Sequence, residues 1–251
     1  MLKSFSIGKY IVRENLSNKI LNGFLVFAGI ILLSTLLLKE LSIYKSDMII
    51  RDSGIFLIEF FVFLVSVLSS SSYLIREHKE KSIYLVLTKP VSRTEYILGN
   101  LIGNIFMLMI YISIMTVFLQ GILLYTGFSL NSMDLMNILF IFLKLCILSS
   151  LGIFFAVISD SYVTANIFTF SVYVLGHFTT DLLILAEKSE SIVLKGIFTI
   201  FYYVLPRYYT LNLRDYLIPM DINYFNLFAY VFAYILIVSM ISSLIFEKRK
   251  L

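Results

Sequence analysis

The sequence predicts an all-α, polytopic membrane protein, and three observations carry that prediction. Of 251 residues, 59% are hydrophobic, and the mean hydropathy is +0.92. Only 14% are charged, against about 25% in an ordinary soluble domain, and a soluble fold of this length cannot hide so much apolar surface. The apolar residues also fall in continuous runs of roughly 20, the helix length that crosses a hydrocarbon core about 30 Å thick. A transmembrane barrel would instead alternate over strands of about 10 residues.

Six runs qualify as spans: Ile20–Leu38, Ile55–Ile75, Ile102–Tyr125, Leu135–Ile158, Val163–Ala186 and Tyr224–Phe246. The first is not read as a cleaved signal, because Lys39-Glu40 follow it where small residues would be needed. Residues 1–19 ahead of it place Phe5, Val12, Leu16 and Ile20 on one helical face, with Lys9 intruding. That pattern suits docking on a membrane surface. An even number of spans leaves both termini on one side. Residues 1–19, the loop 76–95 and the tail hold twelve Lys and Arg; the opposite loops hold seven, offset by eight acids. Basic loops stay inside, so both termini and residues 76–95 are expected in the cytoplasm. The stretch Ile192–Leu205, closed by Pro206, is too short to span and is expected to form a re-entrant or interfacial helix. No repeat or second domain is evident, so residues 1–251 read as one transmembrane domain.

Several function classes fall away. One cysteine, Cys146, and two distant histidines, His78 and His177, offer neither a disulfide framework nor a Cys- or His-rich metal site. A net charge of +4, dispersed along the chain, is no nucleic-acid footprint. The sequence has no G-x-x-x-x-G-K-[ST] phosphate loop, no H-E-x-x-H and no G-x-S-x-G. No catalytic residue, metal or bound cofactor is therefore expected of this chain.

The loop after the second span carries more information. Ile83, Tyr84 and Leu87 form a short apolar stripe on a charged segment that begins at Arg76-Glu77. Pro90 ends that helix, Thr94 and Glu95 start the next, and Gly99-x-x-x-Gly103 invites close backbone approach. By spacing alone, the stripe suits a protein partner and an anionic lipid surface equally.

Within the spans lie Glu59, Lys144, His177 and Asp181, each costly in hydrocarbon. On the fifth span His177 and Asp181 stand i, i+4, extending a stripe with Asn166 and Tyr173, and Gly176 lies beside it. Glu59, Ser66, Ser70 and Tyr73 line the second span at similar spacing. One reading makes Glu59, Lys144, Tyr173, His177 and Asp181 a translocation path, with the fifth-span stripe facing a second copy. The other solvates Glu59 and Asp181 at the outer interface and packs the stripe within one subunit. Lys144, deeper, is expected to pair with Glu59 or Asp181.

Taken together, Arg13-Glu14-Asn15-Leu16, the acidic segment Asp47–Gly54, Lys89-Pro90-Val91-Ser92-Arg93, Glu95–Gly99, Phe201–Pro206, Asn212–Asp215 and Phe246–Arg249 resemble a known family. It is the permease subunits of type 2 ABC exporters, in the branch similar to the permease of the nitrous-oxide-reductase maturation transporter. The family commonly has lysine where Asn100 stands here. The resemblance implies a homodimer in the plasma (inner) membrane of a prokaryote. It also implies a cytosolic ABC ATPase on a separate chain that binds the ATP and magnesium. Residues 76–95 would then be a coupling helix seated on that ATPase, through Glu77, Ile83, Tyr84, Leu87, Pro90 and Arg93. The alternatives are an ion-coupled secondary transporter and a membrane scaffold that recruits a cytosolic partner.

Overall fold

The long apolar runs become long helices. The computed structural model describes residues 2–41, 46–79, 92–159, 161–189, 191–212 and 224–248, and all of its regular structure among them is helical. In chain order these are α1 (Leu2–Ser17), α2 (Lys19–Leu41), α3 (Ser46–Lys79), α4 (Arg93–Tyr125), α5 (Ser132–Ile158), α6 (Tyr162–His177), α7 (Thr179–Lys188), α8 (Ile192–Val204) and α9 (Tyr224–Lys248). A 3-10 turn, Tyr208–Leu211, lies between α8 and α9. α3, α4, α5 and α9 are each long and apolar enough to cross a bilayer. α1 with α2, and α6 with α7, qualify only when each bent pair is taken as one span. The described residues thus hold four to six candidate spans.

α3 and α5 form the centre of the bundle. Ile58, Val62 and Val65 of α3 pack with Ile141, Leu145 and Leu148 of α5 in one apolar cluster, which α2 and α4 close from the side. α6 packs on α3 and α5, and α9 on α5 and α4. At one end Arg51 of α3 bonds Asp47 at 2.7 Å and reaches Asp134 of α5 at 3.9 Å. At the other end Arg76 of α3 is ion-paired with Glu14 of α1.

Two expectations are corrected. The fifth run, 163–186, is not one helix: α6 and α7 meet at a 64° bend around Phe178. The cause lies in a close approach. A Cβ on Gly176 would stand 2.5 Å from the Tyr208 ring and 2.9 Å from the Pro206 carbonyl oxygen, so glycine admits this segment against α6. Thr179 Oγ1 then bonds the Gly176 carbonyl at 3.2 Å, satisfying an acceptor next to the break. The helix cap before α4 is Ser92, not Thr94. Ser92 Oγ accepts the Glu95 N–H at 3.1 Å while a Glu95 carboxylate oxygen accepts the Ser92 N–H at 3.0 Å, which satisfies two orphan donors together.

Residues 1–19 form α1, which meets α4 by a face other than its apolar stripe. The buried face of α1 is Ser4, Gly8, Ile11 and Asn15, whereas Phe5 and Leu16 are exposed. Small residues win because the α1 and α4 backbones nearly touch. A Cβ on Gly99 would lie 2.8 Å from Ile7 Cβ, and one on Gly103 would lie 2.9 Å from Ile11 Cβ and 3.0 Å from the Gly8 carbonyl oxygen. α1 also turns 59° away from α2. Gly103→Ala should therefore lower stability by about 1–3 kcal/mol through overpacking. Gly121→Ala, where nothing lies within 4 Å, should raise it by up to about 1 kcal/mol through helix propensity. Thermal unfolding in detergent checks both, and shifts of the same sign would refute the close crossing.

Candidate functional site

The site is built from a charge that cannot reach water. Lys144 lies midway along α5 and is 0% exposed. An unpaired ammonium in such a place costs several kcal/mol, so its neighbours must satisfy it. Its Nζ bonds Glu59 Oε1 of α3 at 2.6 Å, so Glu59 rather than Asp181 is its partner. Tyr173 of α6 donates its hydroxyl to the same oxygen at 2.9 Å.

His177, one turn further along α6, completes the group. Its Nδ1 lies 2.8 Å from the Tyr173 carbonyl oxygen, and a carbonyl only accepts, so Nδ1 carries a proton. Its Nε2 lies 3.4 Å from Lys144 Nζ. A neutral imidazole protonated at Nδ1 accepts there from the ammonium, which avoids two adjacent cations. The arrangement holds one positive and one negative charge, joined by neutral groups from a third helix.

Aromatic rings surround it. Phe63 stacks on Tyr173 with centroids 4.1 Å apart, and Tyr208 lies 5.5 Å from Tyr173 and 5.4 Å from His177. Tyr208 is held in place by α9: Tyr230 accepts the Arg207 N–H at 2.9 Å, and Tyr234 donates to the Val204 carbonyl at 3.1 Å. Beside this cluster opens a cavity of about 450 Å³, lined by Phe56, Glu59, Phe60, Phe63, Phe170, Tyr173, Val174, His177 and Asn212. One wall is aromatic and the other presents a carboxylate, a phenol and an imidazole. Such a cavity suits an amphipathic guest better than a bare ion.

Four of the five proposed path residues, Glu59, Lys144, Tyr173 and His177, come together here. Asp181 does not. It sits beyond the bend, exposed in the first turn of α7, and makes no ion pair among the described residues. The fifth-span stripe is engaged within the chain: Asn166 accepts from Ser71 of α3 at 2.5 Å, and Gly176 receives the chain's own Tyr208. Asn166 and Gly176 thus have partners within one chain.

Sequence reasoning missed Phe56, Phe60, Phe63 and Tyr208. The three phenylalanines recur at helical spacing around Glu59, a signal available in the sequence. Tyr208 had none, because a loop beyond Pro206 brings it in. Of the expected coupling residues, Ile83, Tyr84, Leu87 and Pro90 lie outside the described residues, as does the side chain of Glu77. Arg93 is described: its guanidinium donates to the Phe246 and Glu247 carbonyls at 3.0 and 2.8 Å, holding the last turn of α9. Among the described residues, no group of three or more His, Cys, Asp or Glu side chains converges on a metal position.

Lys144→Met would leave the Glu59 carboxylate without its cation. It should destabilise the protein by about 3–5 kcal/mol, and adding Glu59→Gln should recover most of that. Thermal unfolding of the two variants checks this, and equal losses would deny the coupling.

No curated protein matches the chain. Residues 32–251, which contain every element of the cavity, match the family described as ABC-2 family transporter protein. The chain therefore belongs to the ABC-2 transporter family, as a multi-pass membrane permease of an ABC transporter.

Proposed function

We propose that the chain is the membrane half of an exporter whose ATPase is a separate cytosolic subunit, assembled as two permeases and two ATPases. The observation that carries this reading is the family match over residues 32–251 in a sequence without a phosphate-binding loop. A permease of this kind takes its energy from another chain. ATP and magnesium belong to that subunit, and this chain binds neither tightly. The resemblance to the nitrous-oxide-reductase maturation permease supports the same division of labour. It also supports a place in a prokaryotic plasma membrane.

The contact with the ATPase falls on residues 77–93, with Ile83, Tyr84 and Leu87 as apolar anchors and Glu77, Pro90 and Arg93 around them. The basic loops support a cytoplasmic side for this segment and both termini. All six runs then cross the membrane, two of them as bent pairs, with α8 lying at or dipping into the outer interface. The aromatic cavity beside Glu59 is the candidate path within each subunit, and it favours cargo with both apolar and polar parts.

Two measurements test this reading. In a Cys146→Ala background, cysteines introduced at Ser82 and Ser189 should label from opposite sides of the membrane. Labelling from one side would refute the topology. Leu87→Asp puts a charge into the apolar contact and should reduce copurification of the ATPase at least tenfold. Undiminished copurification, or tight nucleotide binding by the isolated permease, would overturn the assignment.

A further inference from the structure

We propose that the groove between α1 and α4 binds one anionic phospholipid, with Lys9 as the ligand for its headgroup phosphate. The lysine that interrupts the apolar stripe of α1 is the starting point. Phe5, Lys9, Val12, Arg13 and Leu16 share one side of α1, adjoining the buried side that meets α4. A groove of about 330 Å³ runs along this junction, walled by Phe5, Val12, Ile102, Phe106 and Ile110, with Lys9 at its edge. Its floor is Gly8, which packs against the backbone of α4 at Gly99 and Gly103 and adds no side chain to fill the trough. Phe5 meets Phe106 edge-on at 6.1 Å and braces one end.

Charge selects the occupant. Lys9 and Arg13 are exposed, and neither has a carboxylate within ion-pair distance among the described residues, whereas Glu14 is taken by Arg76. Two unpaired cations beside an apolar trough complement a molecule with a negative head and a hydrocarbon tail. Depth agrees with this. Ile102 begins the third apolar run, so the trough lies at the start of the hydrocarbon and Lys9 at headgroup level. The lysine stem covers apolar surface while its ammonium stays at the interface. A chance lipid contact would not need a cation in the middle of an apolar stripe.

The chain has no tryptophan, so Phe5→Trp gives a single fluorescent reporter inside the groove. The full-length variant is reconstituted into phosphatidylcholine vesicles carrying equal mole fractions of either brominated phosphatidylglycerol or brominated phosphatidylcholine. Relative association from quenching should favour phosphatidylglycerol by about fivefold, the effect of one basic residue at an anionic surface. The preference should shrink in 0.5 M salt, a lower sensitivity to which would show that charge is not its source. Lys9→Gln should abolish it, while Lys9→Arg and Lys195→Gln, on exposed α8, should keep it. Equal quenching by the two lipids would mean ordinary lipid contact and overturn the proposal. Quenching by neither would mean that protein, such as a second copy, covers the face, which overturns it as well. A preference that survives Lys9→Gln would remove Lys9 from the site.

Discussion

A lysine buried midway along an apolar helix constrains every helix around it. Lys144 must find an anion, so α3 has to bring Glu59 within hydrogen-bond reach of α5. One carboxylate oxygen then receives both the ammonium and the Tyr173 hydroxyl, which fixes the rotation of α6. The same rotation brings His177 Nε2 toward the ammonium. Apolar side chains alone would leave these helices free to slide and turn, because lipid is as good a solvent for them as each other. The ion pair removes that freedom. Its contribution is therefore to register more than to stability, since burying both charges offsets much of their attraction.

The ends of the bundle rely on other devices. Arg51 joins the starts of α3 and α5, and Arg76 joins the end of α3 to α1. Glycine does the corresponding work between α1 and α4, where backbones pack too closely for a methyl group. α9 is fastened at its last turn by Arg93 and by the Tyr96 ring stacked 5.8 Å from Phe246. Charges at membrane-facing ends hold helices in position, while contacts in the interior set how they are turned.

Much of this was legible in the sequence, for reasons that can be stated residue by residue. Continuous apolar length marked the long helices, and the depth of Lys144 in its run required a carboxylate partner. Gly99-x-x-x-Gly103 announced a close helix crossing. Its partner, α1, was not legible, because amphipathic periodicity marks the apolar side of α1, whereas a glycine contact selects the side with the smallest residues. The bend at Phe178 has a local sign in Gly176-His177 and Thr179-Thr180-Asp181, which interrupt the apolar run, but its direction has none. It depends on Tyr208, some 30 residues later, entering the space that Gly176 leaves open. Interactions so distant in sequence set no periodicity, and Asp181 was therefore placed on a face that the fold does not preserve.

These constraints also determine how a force could travel. Ser92 and Glu95 stiffen the first turn of α4 by reciprocal capping. Arg93 in that same turn grips α9, and the glycine crossing a turn or two later grips α1. A displacement delivered just before Ser92, where the proposed ATPase contact ends, would move α4, α1 and α9 together. α3, α5 and α6 are bound to one another through Glu59, Lys144 and Tyr173. The two groups are themselves joined, because α4 shares one apolar cluster with α3 and α5 and Arg76 of α3 pairs with Glu14 of α1. The aromatic cavity stands on the α3 and α6 side, its far wall reaching Asn212 beyond the 3-10 turn. A displacement of α4 would therefore pass to α3, and so to the Glu59 wall of the cavity, through apolar packing, while the ion pair keeps α3, α5 and α6 in register. A buried pair in lipid has to stay closed in this way, because separating its charges would leave each one unsatisfied.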